Sequence, residues 1–261
     1  MKPFFRIIGL GLMLQFVFLG STMAQILDSS YAQPIAAAPK KADKQLSAKA
    51  FIAPGILIGY GIWANNNHTL QSFNHSLQEA LYTNRPHEKV HIDNYLQYTP
   101  AAFAIGLSCA GIKGKDNTKD IVFIYALSNV ILNTSVQLVK HGSHQLRPDG
   151  SDYNSFPSGH TAEAFASAEL LRMEYKDRSP GYGIAGYGVA AVTGYLRMYN
   201  NKHWLSDVLA GAGFGIASTK IAYWAYSKLR PHFYSKKKNE AFILPTYQQG
   251  NIGLAMVYRP Q

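Results

Sequence analysis

Cysteine is nearly missing from this chain. Cys109 stands alone among 261 residues, which excludes an intramolecular disulfide framework and a thiolate zinc cage. Charge is scarce as well, at 15% of residues against the ~25% of ordinary soluble domains. What charge there is leans one way, 25 Lys and Arg against 15 Asp and Glu, for a net +10. That balance alone would suit a nucleic-acid binder. The basic and aromatic residues do not interleave in a stripe, however, so no nucleic-acid partner is expected. Internal repeats are absent too. In their place stand 47% hydrophobic residues, 13% aromatics with 17 Tyr, and 22 Gly, which exclude a disordered chain, a coiled coil and a collagen-like repeat.

The N-terminus reads as an address. Lys2 and Arg6 flank the start of an apolar run from Ile7 to Leu19, and Thr22 and Ala24 are the small residues that precede a cut after Ala24. The pattern predicts a signal peptide over 1–24 and an exported protein, with an uncleaved anchor helix as the alternative. Residues 25–50, with Pro34, Pro39, Lys40, Lys41, Lys44 and Lys49, predict a flexible approach segment. Residues 64–98, which include Asn65, Asn66 and Asn67, read as a polar loop with short helical pieces.

Apolar segments at 51–63, 99–112, 121–139, 161–173, 182–196 and 204–226 are too long for strands and apolar around their circumference. They predict an all-α bundle of about five to six helices, deeply buried or lipid-facing. Pro100 and Pro180 sit near helix starts, and Asp120 and Thr161 precede apolar runs. The helical domain is expected over 51–240, with its motif core at 120–226. In the tail, 241–261, Phe242 to Leu244 and Ile252 to Tyr258 flank Gly250 and predict a short β-hairpin.

On this map the chemically capable residues fall at helix tips. Lys140 ends one helix, Ser158 and His160 open the next, Arg197 ends a third, and His203 and Asp207 open the last. Antiparallel packing through short connections puts all of them at one end of the bundle. Three blocks carry the pattern: Lys140 to Arg147 and Pro148; Pro157-Ser158-Gly159-His160; and Arg197 with His203 and Asp207. Each alone has a bland reading. Lys140 and Arg147 could be a solvated helix end, Ser158 a helix cap, and His203 with Asp207 a core pair one turn apart.

Together, in this order and spacing, the blocks resemble the type 2 phosphatidic acid phosphatase family, whose wider superfamily includes bacterial acid phosphatases and vanadium haloperoxidases. The resemblance covers about residues 120–226, with one departure: Leu196 stands where the family usually has Ser before the arginine. It implies a phosphatase with no cofactor and no metal. His203 would be the nucleophile forming a phosphohistidine, Asp207 its partner, and His160 the acid and then base. Lys140, Arg147, Arg197, Ser158 and Gly159 would bind phosphate. The chemistry is consistent with those roles, because a transferring phosphoryl group spreads negative charge over three oxygens and needs fixed donors. The implied substrate is a phosphorylated lipid such as phosphatidic acid, phosphatidylglycerol phosphate, undecaprenyl diphosphate or the phosphates of lipid A. A soluble periplasmic acid phosphatase and a non-catalytic phosphate-binding membrane protein are the alternatives.

His87-Glu88-Lys89-Val90-His91 matches the H-E-x-x-H zinc pattern. It lies just after Pro86 in the polar stretch, with no third ligand at the usual spacing, and reads instead as a rim segment. His141 and His144 are placed at the site entrance, and His68, His75 and His232 on the surface. Lysines and arginines crowd the loops opposite the motifs, at 113–119, 172–178 and 228–238. By the positive-inside rule the motif end then faces the periplasm, on an inner-membrane or membrane-associated protein.

Overall fold

The computed structural model describes residues 47–233, 240–248 and 251–259. The signal peptide expected over 1–24, and the approach segment up to residue 46, lie outside the described residues. A 3-10 turn at Ala48–Phe51, capped by the Ser47 hydroxyl, leads directly into α1, Ile52–Asn66. Asn67, extended at φ −114° and ψ 118°, breaks α1, and its side chain accepts from Leu70 N to start α2, His68–Gln78. A π turn at Glu79–Thr83 ends that piece. The 64–98 stretch is therefore more helical than a loop with short pieces, because an asparagine cap supplies the restart that apolar periodicity does not reveal.

Then follow α3 (Asp93–Leu96), α4 (Thr99–Cys109), α5 (Thr118–Ser143), α6 (Gly159–Tyr175), α7 (Pro180–Tyr199) and α8 (Leu205–Phe233). Pro100 and Pro180 occupy the first turns of α4 and α7, where no intrahelical donor is lost. His144, left-handed at φ 45°, stops α5. Strands β1 (Glu240–Gln248) and β2 (Asn251–Arg259) pair antiparallel, Gln248 opposite Asn251, where the hairpin was expected. The architecture is an all-α bundle.

Helix α6 is the hub, packed on α7, α8, α4 and α5, while α8 also packs on α1 and α5. Close approach is what the small residues permit. Ala162, Ala164, Ala166 and Ala168 are fully buried, and a Cβ on Gly215 would lie 2.2 Å from the Ala162 carbonyl oxygen. Backbone cannot yield as a side-chain tip can, so Gly215→Ala must push α8 off α6. The expected cost is about 3 kcal/mol, or a Tm lower by about 6–12 °C in a thermal melt. A shift under 2 °C would mean that the two helices are not this close.

Beside an apolar core that includes Ile121, Ile124, Leu170 and Leu171, the bundle buries polar pairs and leaves large apolar side chains outside. Inside, Glu163, Glu169 and Glu174 on α6 accept hydrogen bonds from the Tyr125, Tyr187 and Tyr223 hydroxyls. Glu169 is further held by Arg172 at 2.6 Å and Lys220 at 2.8 Å. Outside, Ile56, Trp63, Val130, Leu138 and Ile184 are each at least 60% exposed. Among the described residues, one helix, Thr118–Ser143, is long and apolar enough to cross a membrane.

Candidate active site

The C-terminal ends of α5 and α7 and the N-terminal ends of α6 and α8 meet at one end of the bundle, and with them come the residues of the three blocks. A backbone bond stitches two blocks together: Ser158 N donates to the Asp207 carbonyl oxygen at 3.0 Å. His203, in the short connection before α8, is 4% exposed. Burial, then the positive charges of Arg197, Lys140, Arg147 and His160, hold its imidazole well below the ordinary value of 6.5. The cationic side chains of the three blocks thus lie close enough to act on one buried ring.

Each cation is fixed by a different device. Lys140 Nζ donates to the Asn154 carbonyl oxygen at 2.5 Å, so an ammonium is anchored without a carboxylate. Arg147 Nε donates to Asp152 Oδ1 at 2.9 Å, and the Asp152 carbonyl accepts from Arg147 N at 3.0 Å, closing the turn. Arg197, 8% exposed, donates to Asp93 Oδ2 at 2.5 Å, while its buried Nε has no partner. A buried guanidinium donor without an acceptor is costly, and an oxyanion is what would satisfy it.

The His203–Asp207 pair is looser than a hydrogen bond. Nδ1 lies 3.5 Å from Asp207 Oδ2 and finds no hydrogen-bond partner. The same carboxylate oxygen instead accepts from Ser155 Oγ at 2.5 Å and Trp204 N at 2.9 Å. Asp207 is thereby held rigid beside the ring, and such contacts commonly tighten when substrate binds. His160, half-buried at the start of α6, donates from Nε2 to Asn94 Oδ1 at 2.9 Å.

One expectation needs correction. The resemblance implies that Ser158 binds phosphate, but its N–H is taken by the Asp207 carbonyl and its hydroxyl pairs with Thr161 Oγ1 at 2.9 Å. With its side chain also accepting from Thr161 N and no solvent exposure, Ser158 is a helix cap, the blander reading. The free donors of that first turn belong to Gly159 and His160, where a helix leaves its N–H groups unpaired.

Residues outside the blocks complete the site. Asp93 and Asn94, on the single turn of α3, hold Arg197 and His160. Asp152 and Ser155 hold Arg147 and Asp207. The only hint of Asp152 in the sequence is its place after the Pro148–Gly150 turn that brings it back to Arg147, and Asp93 has none. At the rim, Asp149 binds Lys202 at 2.6 Å and Lys89 at 3.5 Å. Burial would raise its carboxyl, but the hydrogen bonds from Lys202 and Ser151 win and hold it well below the usual range.

The H-E-x-x-H stretch is not helical, so the two histidines do not share a helix face. His87 sits with its ring nitrogens against the Arg85 and Tyr199 carbonyl oxygens, at 2.7 and 2.9 Å, and stacks on Tyr199 at 3.6 Å. It clamps the segment to the end of α7. Among the described residues no group of three or more His, Cys, Asp or Glu is placed to hold a metal ion. His75 is exposed and meets Trp204 edge-on at 4.6 Å, and His141 is exposed with Nδ1 on the Gln137 carbonyl. The His232 side chain lies outside what is described.

The model of the PAP2 superfamily matches residues 118–231, the stretch that contains all three blocks. Over these residues the chain is similar to the PAP2 superfamily. A lipid A 1-phosphatase of Porphyromonas gingivalis is 40% identical over 150 residues, which are 57% of this chain and 34% of that protein. This chain thus spans about a third of the length of that curated relative. Two solved structures are similar to the helical part of this chain. One is a transmembrane PAP2-type phosphatidylglycerolphosphate phosphatase from Bacillus subtilis, at 18% identity and TM-score 0.47, covering 68% of this chain and 97% of that one. The other is LpxE of Aquifex aeolicus, at 20% identity and TM-score 0.36, covering 63% and 93%. The matched segment holds four of the six helices that pack together around α6 and α8, and α3 reaches into it from outside through Asp93 and Asn94.

Proposed function

We propose that this protein is a metal-independent phosphatase that removes phosphate from a lipid phosphate or diphosphate at a membrane surface. The observation that supports this most is the unpartnered Nε of buried Arg197 near the buried ring of His203, whose proton affinity is lowered by burial and by the charges of Arg197, Lys140 and Arg147. Cations gathered at a low-dielectric site, one with a donor to spare, suit an oxyanion, and a neutral imidazole in their midst suits attack on phosphorus.

In the proposed reaction His203 Nε2 forms a bond to phosphorus as the bond to the leaving oxygen breaks. Asp207, nearest to Nδ1, favours the tautomer with its proton on that side. His160 gives a proton to the leaving oxygen. It then takes one from the water that displaces His203 and releases phosphate. Arg147, Arg197, Lys140 and the N–H groups of Gly159 and His160 meet the three non-bridging oxygens, so charge neutralisation is supplied by side chains and backbone.

The lipid nature of the substrate rests on two supports. The relative of 40% identity is named for lipid A, and the outer face of this bundle carries exposed large apolar side chains such as Ile56, Trp63, Val130, Leu138 and Ile184. A face of that kind belongs against hydrocarbon. Membrane attachment, with the site facing the periplasm and the helical domain over 51–240, is part of the proposal. The test is phosphate release by the full chain in detergent, with a chelator present, from phosphatidic acid, phosphatidylglycerol phosphate, undecaprenyl diphosphate, lipid A 1-phosphate and p-nitrophenyl phosphate. At least one lipid is expected to turn over tenfold faster than the soluble ester, chelator or not. Loss of all turnover with the chelator, or hydrolysis of none of the five, refutes the reading.

A further inference from the structure

The segment that leads into α3 is fastened to the end of the bundle where the three blocks meet. His87 stacks on Tyr199. Val90 exchanges two hydrogen bonds with the Asn200 side chain, its N–H donating to Oδ1 at 2.8 Å and its carbonyl accepting from Nδ2 at 2.7 Å. Asp93 then takes Arg197. Those three grips are all on the end of α7, and Asn94 alone crosses to α6, where its Oδ1 meets His160 Nε2 at 2.9 Å. The backbone of Asn94 is held as well, its N–H on the His91 carbonyl at 3.2 Å and its own carbonyl accepting from Gln97 Nε2 at 2.9 Å. The whole segment precedes the matched stretch 118–231.

An amide oxygen can only accept, so the ring nitrogen that faces it carries a proton. We infer that Asn94 is a positioning residue for His160, keeping a proton on Nε2 and leaving Nδ1 as the nitrogen that exchanges protons during the reaction; this rests on the phosphatase reading and deepens it. In the first step the Nδ1 proton passes to the leaving oxygen, which departs with the P–O bonding pair, while Nε2–H stays on Asn94. In the second, Nδ1 takes a proton from the water whose oxygen bonds to phosphorus, and the P–N bonding pair returns to His203. Without the amide the ring can turn over about its last torsion and exchange its two nitrogens. The charged and titratable groups around His160 are Arg197 on α7, Asp93 on α3, Lys140 on α5, Arg147 in the connection after it, and His203 ahead of α8. Burial first, and those cations after it, hold the imidazole down to about 4 against the opposing charge of Asp93. A carboxylate in place of the amide would therefore act on a weakly held proton.

Rates of the full chain in detergent, on whichever lipid of the five-substrate panel turns over fastest, test this in two ways. Asn94→Ala is expected to lower kcat about 10–100-fold with KM little changed. Placed in His160→Ala, the same substitution should cost less than about twofold more, because the group it serves is gone. Asn94→Asp sets a negative charge against Nε2–H and favours the imidazolium, so the fall of log kcat/KM with rising pH should move about 1–3 units upward. Titration of the substrate is common to all variants and cancels in the comparison. Asn94 is exposed, so neither replacement opens a cavity. Asn94→Ala at the parental rate, a further loss of about threefold or more on top of His160→Ala, or a limb that moves by less than about one unit in Asn94→Asp overturns the positioning role alone. His160→Ala at the parental rate removes His160 from the chemistry and Asn94 with it. Turnover of no lipid by the parent overturns the phosphatase reading beneath both.

Discussion

His203→Ala is expected to lower kcat for phosphate release by about 10⁴–10⁶-fold, the loss typical of deleting a covalent nucleophile. The cradle of Lys140, Arg147 and Arg197 survives that change, so inorganic phosphate should still bind within a few-fold of the parent affinity. Acid quenching cannot preserve a phosphohistidine; an alkaline quench of enzyme turning over ³²P-labelled lipid should leave label on the parent chain and none on the variant. Loss of activity with loss of phosphate binding would point to collapse of the pocket. Activity within tenfold of the parent would remove His203 from the chemistry. The pH response follows from the same ring. Burial and the neighbouring cations depress its proton affinity, and the neutral form is the one that attacks. The nucleophile is therefore already competent at pH 7 and remains so as pH falls through 6.5. A plot of log kcat/KM against pH should show no loss of one unit per pH unit with its midpoint near 6.5 traceable to His203. Such a limb, abolished with the residual rate of His203→Ala, would mean the ring is not buried among charges.

Much of this site was legible because its residues sit at helix tips, where sequence spacing and spatial position coincide. Lys140, His160, Arg197, His203 and Asp207 each lie within a few residues of a break between apolar runs, and short connections force those breaks together. The supporting residues obey no such rule. Asp93 reaches Arg197 across 104 positions, and Asn94 reaches His160 across 66; both come from a one-turn helix in a polar stretch, which carries no periodicity to read. The same holds inside the bundle. Glu163, Glu169 and Glu174 look from the sequence like residues for a wet face, yet they are buried against tyrosines from three other helices. Ser158 failed in the opposite sense, since its place in a family motif suggested chemistry and its local geometry made it a cap. Helix ends transmit function through spacing, whereas second partners are selected by packing, and packing is a property of several distant segments at once.

Arg197→Ala should do two kinds of damage that a pair of further variants can separate. Its guanidinium binds Asp93 Oδ2 at 2.5 Å, and the Asp93 side chain is 1% exposed. Removing one member of a buried pair leaves the other charge without compensation, at a cost of about 3–5 kcal/mol, or a Tm lower by about 6–20 °C. Removing both charges together, as in Asp93→Leu with Arg197→Met, replaces the pair by apolar groups and should restore most of that Tm. Catalysis should not follow stability. An arginine aimed at a transferring phosphoryl group contributes about 10³–10⁵ in kcat, so the restored double variant is expected to remain at least 10³-fold slow. Asp93→Asn keeps the guanidinium but weakens the hold on it. That variant should lose less, roughly 10-fold, because a misdirected fork still carries its charge. If the double variant recovered its rate along with its melting temperature, Arg197 would be a structural ion pair and nothing more, and its unpartnered Nε would have no bearing on phosphate.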